Sequence, residues 1–210
     1  MHRRATAGLI LCALIAGCAQ PADRPATAAG GAPAGDAALP RSPPMIPGGN
    51  PAVGGVVMPA ERSMADNIAA APILATFARL LAAAGETDAL KGVGPFTVFA
   101  PSDAAFARLQ PGTVDALLRP ENHAALVKLL DLHRVAGALT GVELMRRVVA
   151  GGGRATLTSA AGEPIAVTAT GGIVTLTDAG ANRSYVEVAD VRQANGVLHV
   201  VNGVLVPRLP

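Results

Sequence analysis

Aromatic side chains are scarce in this chain: its 210 residues include no Trp, one Tyr and four Phe. Half of the chain is hydrophobic all the same, so any core must be aliphatic. A stacking platform for nucleic-acid bases, which needs aromatic faces, is excluded. Charge of either sign is limited, and the formal net charge is only +2. Arg3 and Arg4 account for that excess, and without them the balance is zero, which excludes a basic nucleic-acid binder. Both cysteines, Cys12 and Cys18, fall within the first 18 residues. The remainder therefore has neither a disulfide nor a cysteine nucleophile.

What is present at the start of the chain reads as an address. Residues 1–18 run MHRRATAGLILCALIAGC. Arg3 and Arg4 precede a short apolar stretch from Gly8 to Ala16, which is the secretory-signal pattern. The stretch falls short of the ~20 apolar residues that a membrane-spanning helix needs. Its end, Ile15-Ala16-Gly17-Cys18, resembles the lipobox of bacterial lipoproteins. That resemblance implies a signal peptide over residues 1–17, cleavage before Cys18, and acyl chains on both the sulfur and the amine of Cys18. Several chains anchor a protein where one does not. Ala19 follows instead of Asp, so the inner-membrane retention cue is missing and an outer-membrane location is favoured.

Ala, Gly and Pro make up 25 of the 40 residues from 19 to 58. Eight prolines forbid a continuous helix there, and no apolar periodicity offers a face to bury. With Cys18, this segment is expected to be a lipidated, disordered tether over residues 18–58. It would place the rest, residues 59–210, outside the cytoplasm and tied to a membrane.

Residues 59–210 carry a folding pattern. Ser63, followed by Asp66, fits a helix N-cap, and Pro72 fits the first turn of a second helix. Ile73, Leu74, Phe77, Leu80 and Leu81 line one face of that helix, and Gly85 stops it. Phe96 to Phe99 is a short strand ended by Pro101, after which Ser102 caps a helix. Another helix is expected from about Glu121 to Leu132. Thr140-Gly141-Val142-Glu143 reads as a capping box for a further helix, closed by Gly151 to Gly153. Beyond Gly153 the period changes to two. Residues 155–159, 165–170, 173–177, 185–191 and 197–206 read as Val/Thr/Ile-rich strands, with Gly171-Gly172 as a hairpin turn. Helices first and mostly antiparallel strands later imply an α+β domain.

Three motifs within residues 59–208 resemble the fasciclin (FAS1) family. Gly94-Pro95-Phe96-Thr97-Val98-Phe99-Ala100-Pro101-Ser102-Asp103-Ala104-Ala105-Phe106 is similar to its first signature. Asn195-Gly196-Val197-Leu198-His199-Val200-Val201-Asn202-Gly203-Val204-Leu205-Val206-Pro207 is similar to its second, and Leu129 to Val135 resembles the Tyr-His segment between them. The resemblance implies a wedge of two β-sheets flanked by several helices. It also implies cell adhesion or protein–protein and matrix interaction outside the cell, without catalysis or cofactor. Leu132 stands where the family often has Tyr, and Asn202 where it often has Asp. The integrin recognition tied to that Tyr in animal members therefore does not transfer. The matching motif positions are Thr97, Phe99, Pro101, Ser102, Asp103, Phe106, His133, Asn195, Gly196, His199 and Pro207.

The same residues include types that carry chemistry. Ser102, Asp103, His133 and His199 contain the residue types of a hydrolase, but Ser102 lies in PSDAAF and not in a G-x-S-x-G elbow. Asp103, His133, Asp190 and His199 lack the close His spacings of a metal site. Their expected role is architectural: Ser102 caps its helix, Asp103 sits favourably in the first turn, and His133 donates to Asp103 or Ser102. His199 lies on one strand face with Val197 and Val201, either inner or outer. The expected partners are an unidentified protein or matrix component and, through the lipid on Cys18, a membrane. The alternative is an envelope protein binding a small apolar ligand or a polysaccharide.

Overall fold

The computed structural model describes residues 49–208. The signal peptide, Cys12, Cys18 and the tether as far as residue 48 lie outside the described residues.

The first described residues correct the tether boundary. β1 (Ala52–Val53) and β2 (Val56–Val57) form a small hairpin around Gly54 and Gly55, both at positive φ. Asn50 donates to the Arg192 carbonyl (2.6 Å) and accepts from the Arg192 amide (2.8 Å). Val53 and Met58 are fully buried in the core. Residues 49–58 therefore belong to the fold. Their Gly, Pro and Ala serve a tight turn, and their few apolar side chains are used.

The helices follow local signals. Ser63 caps α1 (Met64–Ala70) by accepting from the Asp66 amide. A 3-10 turn, Pro72–Leu74, leads into α2 (Ala75–Ala84), which stops at left-handed Gly85. β3 (Phe96–Pro101) precedes the short α3 (Asp103–Phe106) and α4 (Thr113–Leu117). α5 (His123–Leu132) follows a second 3-10 turn and gives way to β4 (Arg134–Ala136). α6 (Gly141–Ala150) is capped by Thr140, which accepts from the Glu143 amide. Only half of the expected capping box forms, because the Glu143 carboxylate turns to Arg146 and Arg147 instead.

The remaining strands are β5 (Arg154–Thr158), β6 (Pro164–Thr170), β7 (Ile173–Thr177), β8 (Arg183–Gln193) and β9 (Gly196–Val201). β9 stops at Val201, five residues before the expected end, because Asn202 and Gly203 turn the chain out of the ladder. The seven strands from β3 onward form one mixed sheet in the order β4-β3-β9-β8-β7-β6-β5, with only β3 and β9 parallel. β8 divides it. Arg183 to Tyr185 pair with β7, whereas Val186 to Gln193 pair with β9 through two register shifts. Such bulges sharpen twist and turn the ladder into two halves, the form taken here by the expected wedge. The outermost strands meet again where Val135 bridges Ser159, so the sheet edges cover one another.

β3 and β9 lie between two cores. Phe96, Val98, Ala100, Leu198 and Val200 face the cluster built with α1, α2 and α5. Phe99 and Val201 face a second cluster with Leu144, Val148, Ile165 and Leu176. Alternate residues of both strands thus meet opposite cores, and every signature residue on them is placed by that alternation.

Candidate functional site

The motif residues converge on the ends of β3 and β9, and they do so by binding backbone. Thr97 is fully buried. Its hydroxyl donates to the Gly137 carbonyl (2.6 Å) and accepts from the Leu139 amide (2.8 Å), fixing the loop before α6. Asn195 accepts from the Met64 amide (3.1 Å) at the start of α1. It donates to the carbonyls of Leu90 (2.7 Å) and Gly92 (3.0 Å). Gly196 lies directly against β3, where a side chain would collide with the Phe96 carbonyl. Phe99, Pro101, Phe106 and Pro207 are buried packing residues.

The two histidines have the same job in opposite tautomers. His133 donates from Nδ1 to the Leu129 carbonyl (2.8 Å) and accepts at Nε2 from the Leu205 amide (3.0 Å). His199 donates from Nε2 to the Leu139 carbonyl (2.7 Å) and accepts at Nδ1 from the Asp190 amide (3.2 Å). Each ring therefore joins one backbone carbonyl to one backbone amide and must be neutral to do so. Both rings are fully buried. Desolvation pushes His133 from 6.5 down to about 4, against the opposing pull of the Leu129 bond and the Asp178 charge. Burial lowers His199 in the same way, with the Leu139 bond and Asp190 acting against it. His199 stacks on Phe99, with ring centroids 5.4 Å apart, which puts it on the face of the strand turned to the second core.

Two expectations are corrected by this geometry. His133 does not bond Asp103 or Ser102; a ring at the end of α5 points toward the Leu205 segment instead. Ser102 occupies the N-cap position of α3, but its hydroxyl makes no cap bond and is buried without a partner. Asp103 stands in the first turn of α3, as expected, and also serves a neighbouring helix. Its carboxylate accepts from the Thr76 amide (2.8 Å) and so caps α2 across a helix–helix contact. The bonds used up by His133 and His199 leave neither ring a free nitrogen for a proton relay or a metal. Among the described residues, no group of three or more His, Cys, Asp or Glu side chains gathers as metal ligands do.

One buried group was not singled out by sequence reasoning. The Asp178 carboxylate accepts from the amides of Gly180 (2.8 Å), Asn182 (2.9 Å) and Val206 (2.8 Å), and from the Asn182 side chain (2.9 Å). The signal was available in Asp178-Ala-Gly-Ala-Asn182, an Asp opening a tight turn. Its bond to Val206 was not legible, because it spans 28 residues.

Open space lies outside the cores. A pocket beside Phe77, Leu81 and Arg134 encloses about 10 Å³, room for about a single water. A much larger, open groove of about 660 Å³ runs past Val93, Pro95, Ala138, Arg192 and Ala194 at the starts of β3 and β9.

The family model of the fasciclin domain matches residues 72–207. The chain belongs to the fasciclin family. Among fasciclin relatives, Protein sll1483 of Synechocystis is 42% identical over 135 residues, covering 63% of this chain and 68% of that protein. The transforming growth factor-beta-induced protein ig-h3 of Sus scrofa is 35% identical over 136 residues, covering 62% of this chain but only 18% of that one. A solved structure, a FAS1 domain pair from the insect cell adhesion molecule Fasciclin I, superimposes with a TM-score of 0.62. It shares 18% identity and covers 70% of this chain and 51% of that one, a likeness of fold. The fasciclin fold of this chain is thus the α+β arrangement read from its sequence, with one seven-stranded sheet and its helices.

Proposed function

We propose that this fasciclin domain is displayed outside the cytoplasm, held to a membrane by lipid on Cys18, and attaches the cell to a protein or matrix partner through its surface, without chemistry of its own. The observation that carries this reading is the inward use of the motif side chains. Thr97, Asn195, His133 and His199 spend their polar atoms on backbone groups. What remains to meet a partner is the exterior. Weak contacts suffice for attachment when many anchored copies act together, because tethering raises the effective concentration.

Cross-linking on intact cells, followed by mass spectrometry of the captured proteins, tests the reading. The wild-type protein should capture a defined envelope or matrix partner. A Cys18→Ala variant should leave the membrane fraction and lose that capture. Unchanged adhesion and aggregation in a deletion strain, together with no captured partner, would overturn the proposal.

The open groove of about 660 Å³ favours a second reading, an envelope protein that binds a polysaccharide or small apolar ligand there. Saturable binding of such a ligand that Arg192→Ala abolishes would favour it over attachment.

A further inference from the structure

The last described segment, Val204 to Arg208, joins no strand, yet Val204, Leu205 and Pro207 are buried. Leu205 inserts into the second core beside Leu132 and Val135. The segment's backbone is held by side chains. The Leu205 amide donates to His133 Nε2 (3.0 Å), the Val206 amide to the Asp178 carboxylate (2.8 Å) and the Arg208 amide to the Glu163 carboxylate (3.2 Å). Lys128 donates to the Arg208 carbonyl (2.6 Å) and pairs with Glu163 (2.8 Å). A strand of a sheet would place its amides on carbonyls, which do not titrate. These three amides end on an imidazole and two carboxylates, from α5, the β5–β6 turn and the β7–β8 turn.

We propose that residues 204–208 form an acid-released strap, which leaves its seat on the second core while the sheet stays folded. In acid each anchor fails in its own way. Protonated His133 presents an N–H to the Leu205 N–H, so an acceptor becomes a second donor in a buried site. Protonated Asp178 and Glu163 lose the charge that makes them strong acceptors, and Glu163 also loses Lys128. Among the described residues, the charge that acts on His133 across the packing is that of Asp178. Its sequence neighbours Asp131 and Arg134 pair with each other (2.6 Å). Arg208 retains a bond from its guanidinium to the Ala179 carbonyl (2.7 Å), which acid does not touch. Two of the anchors are held below their ordinary ranges. Burial holds His133 to about 4, and the Lys128 bond holds Glu163 below the usual carboxylate range.

Hydrogen exchange on the full chain, corrected for the intrinsic pH dependence of amide exchange, tests the strap. Between neutral pH and about pH 4, protection of residues 202–208 should fall by about tenfold or more, while that of β3 and β9 is kept. Asp178→Asn removes the charge and sets an amide donor against two of the carboxylate's N–H partners, so it should loosen the same segment already at neutral pH. Equal protection of 202–208 at both pH values would overturn the proposal. So would a loss that strikes β3 and the strap together. If Asp178→Asn does not fold, the wild-type titration decides alone.

Discussion

A β-carbon placed on Gly196 would stand 1.8 Å from the carbonyl oxygen of Phe96, its direct partner in the parallel β3–β9 pair. The obstacle is the backbone of a paired strand, so it does not yield as a flexible side chain would. Gly196→Ala is expected to destabilise the domain by about 3 kcal/mol or more. Gly172→Ala is the control: it meets nothing within 4 Å and suffers only from its φ of +81°, a cost of roughly 1–2 kcal/mol. Urea unfolding of the two variants should separate them by a clear shift in midpoint.

Buried Thr97 holds the loop before α6 with a single hydroxyl that both donates and accepts. Thr97→Val keeps the shape and strands the Gly137 carbonyl and the Leu139 amide. The expected loss is roughly 2–4 kcal/mol, against about 1 kcal/mol for Thr97→Ser, which keeps the hydroxyl. Equal midpoints for Val and Ser would show that the hydroxyl does not hold the loop.

The parts legible in the sequence were the local ones. Ser63, Gly85, Thr140 and the Gly171-Gly172 turn act on residues within four positions, and each stands where the sequence pattern put it. The two-residue period after Gly153 gave the later strands, because alternation is written in consecutive residues. Residues 49–58 were misread, since their Gly and Pro content masks Asn50, whose partner Arg192 lies 142 residues away. The histidine partners were hidden for a related reason. Leu205 and Leu139 contribute backbone atoms, and a backbone atom leaves no residue-type signature. The second use of Asp103, as a cap for α2, is not legible in the sequence because its bond to Thr76 depends on how two helices pack.

Ser102 and Asp103 provide a direct test of which residue makes a cap bond. The Ser102 hydroxyl is buried with no partner, so Ser102→Ala removes an unsatisfied polar group and should be neutral or slightly stabilising. Asp103→Ala uncaps α2 and should cost about 1 kcal/mol. Were Ser102 the true cap, the order of the two thermal midpoints would reverse.

The pH dependence of stability follows from the same buried rings. His133 titrates near 6.5 when unfolded and at about 4 when folded. The unfolded chain therefore binds the proton first as pH falls. Stability is full above about 6.5, declines as pH drops through the interval, and reaches its full loss at and below about 4. That loss is on the order of 3 kcal/mol from His133 alone. His199 adds a loss of the same sign, since burial lowers it too. At neutral pH, His133→Ala leaves the Leu205 amide unpaired and opens a cavity, at a cost of roughly 2–4 kcal/mol. The variant has no imidazole to resist protonation, so it escapes the acid penalty that weakens the wild type. The gap between the two proteins should therefore close as pH falls toward 4. Urea midpoints measured across that range give the answer, and a gap that stays constant would mean that His133 is not held neutral in the folded domain.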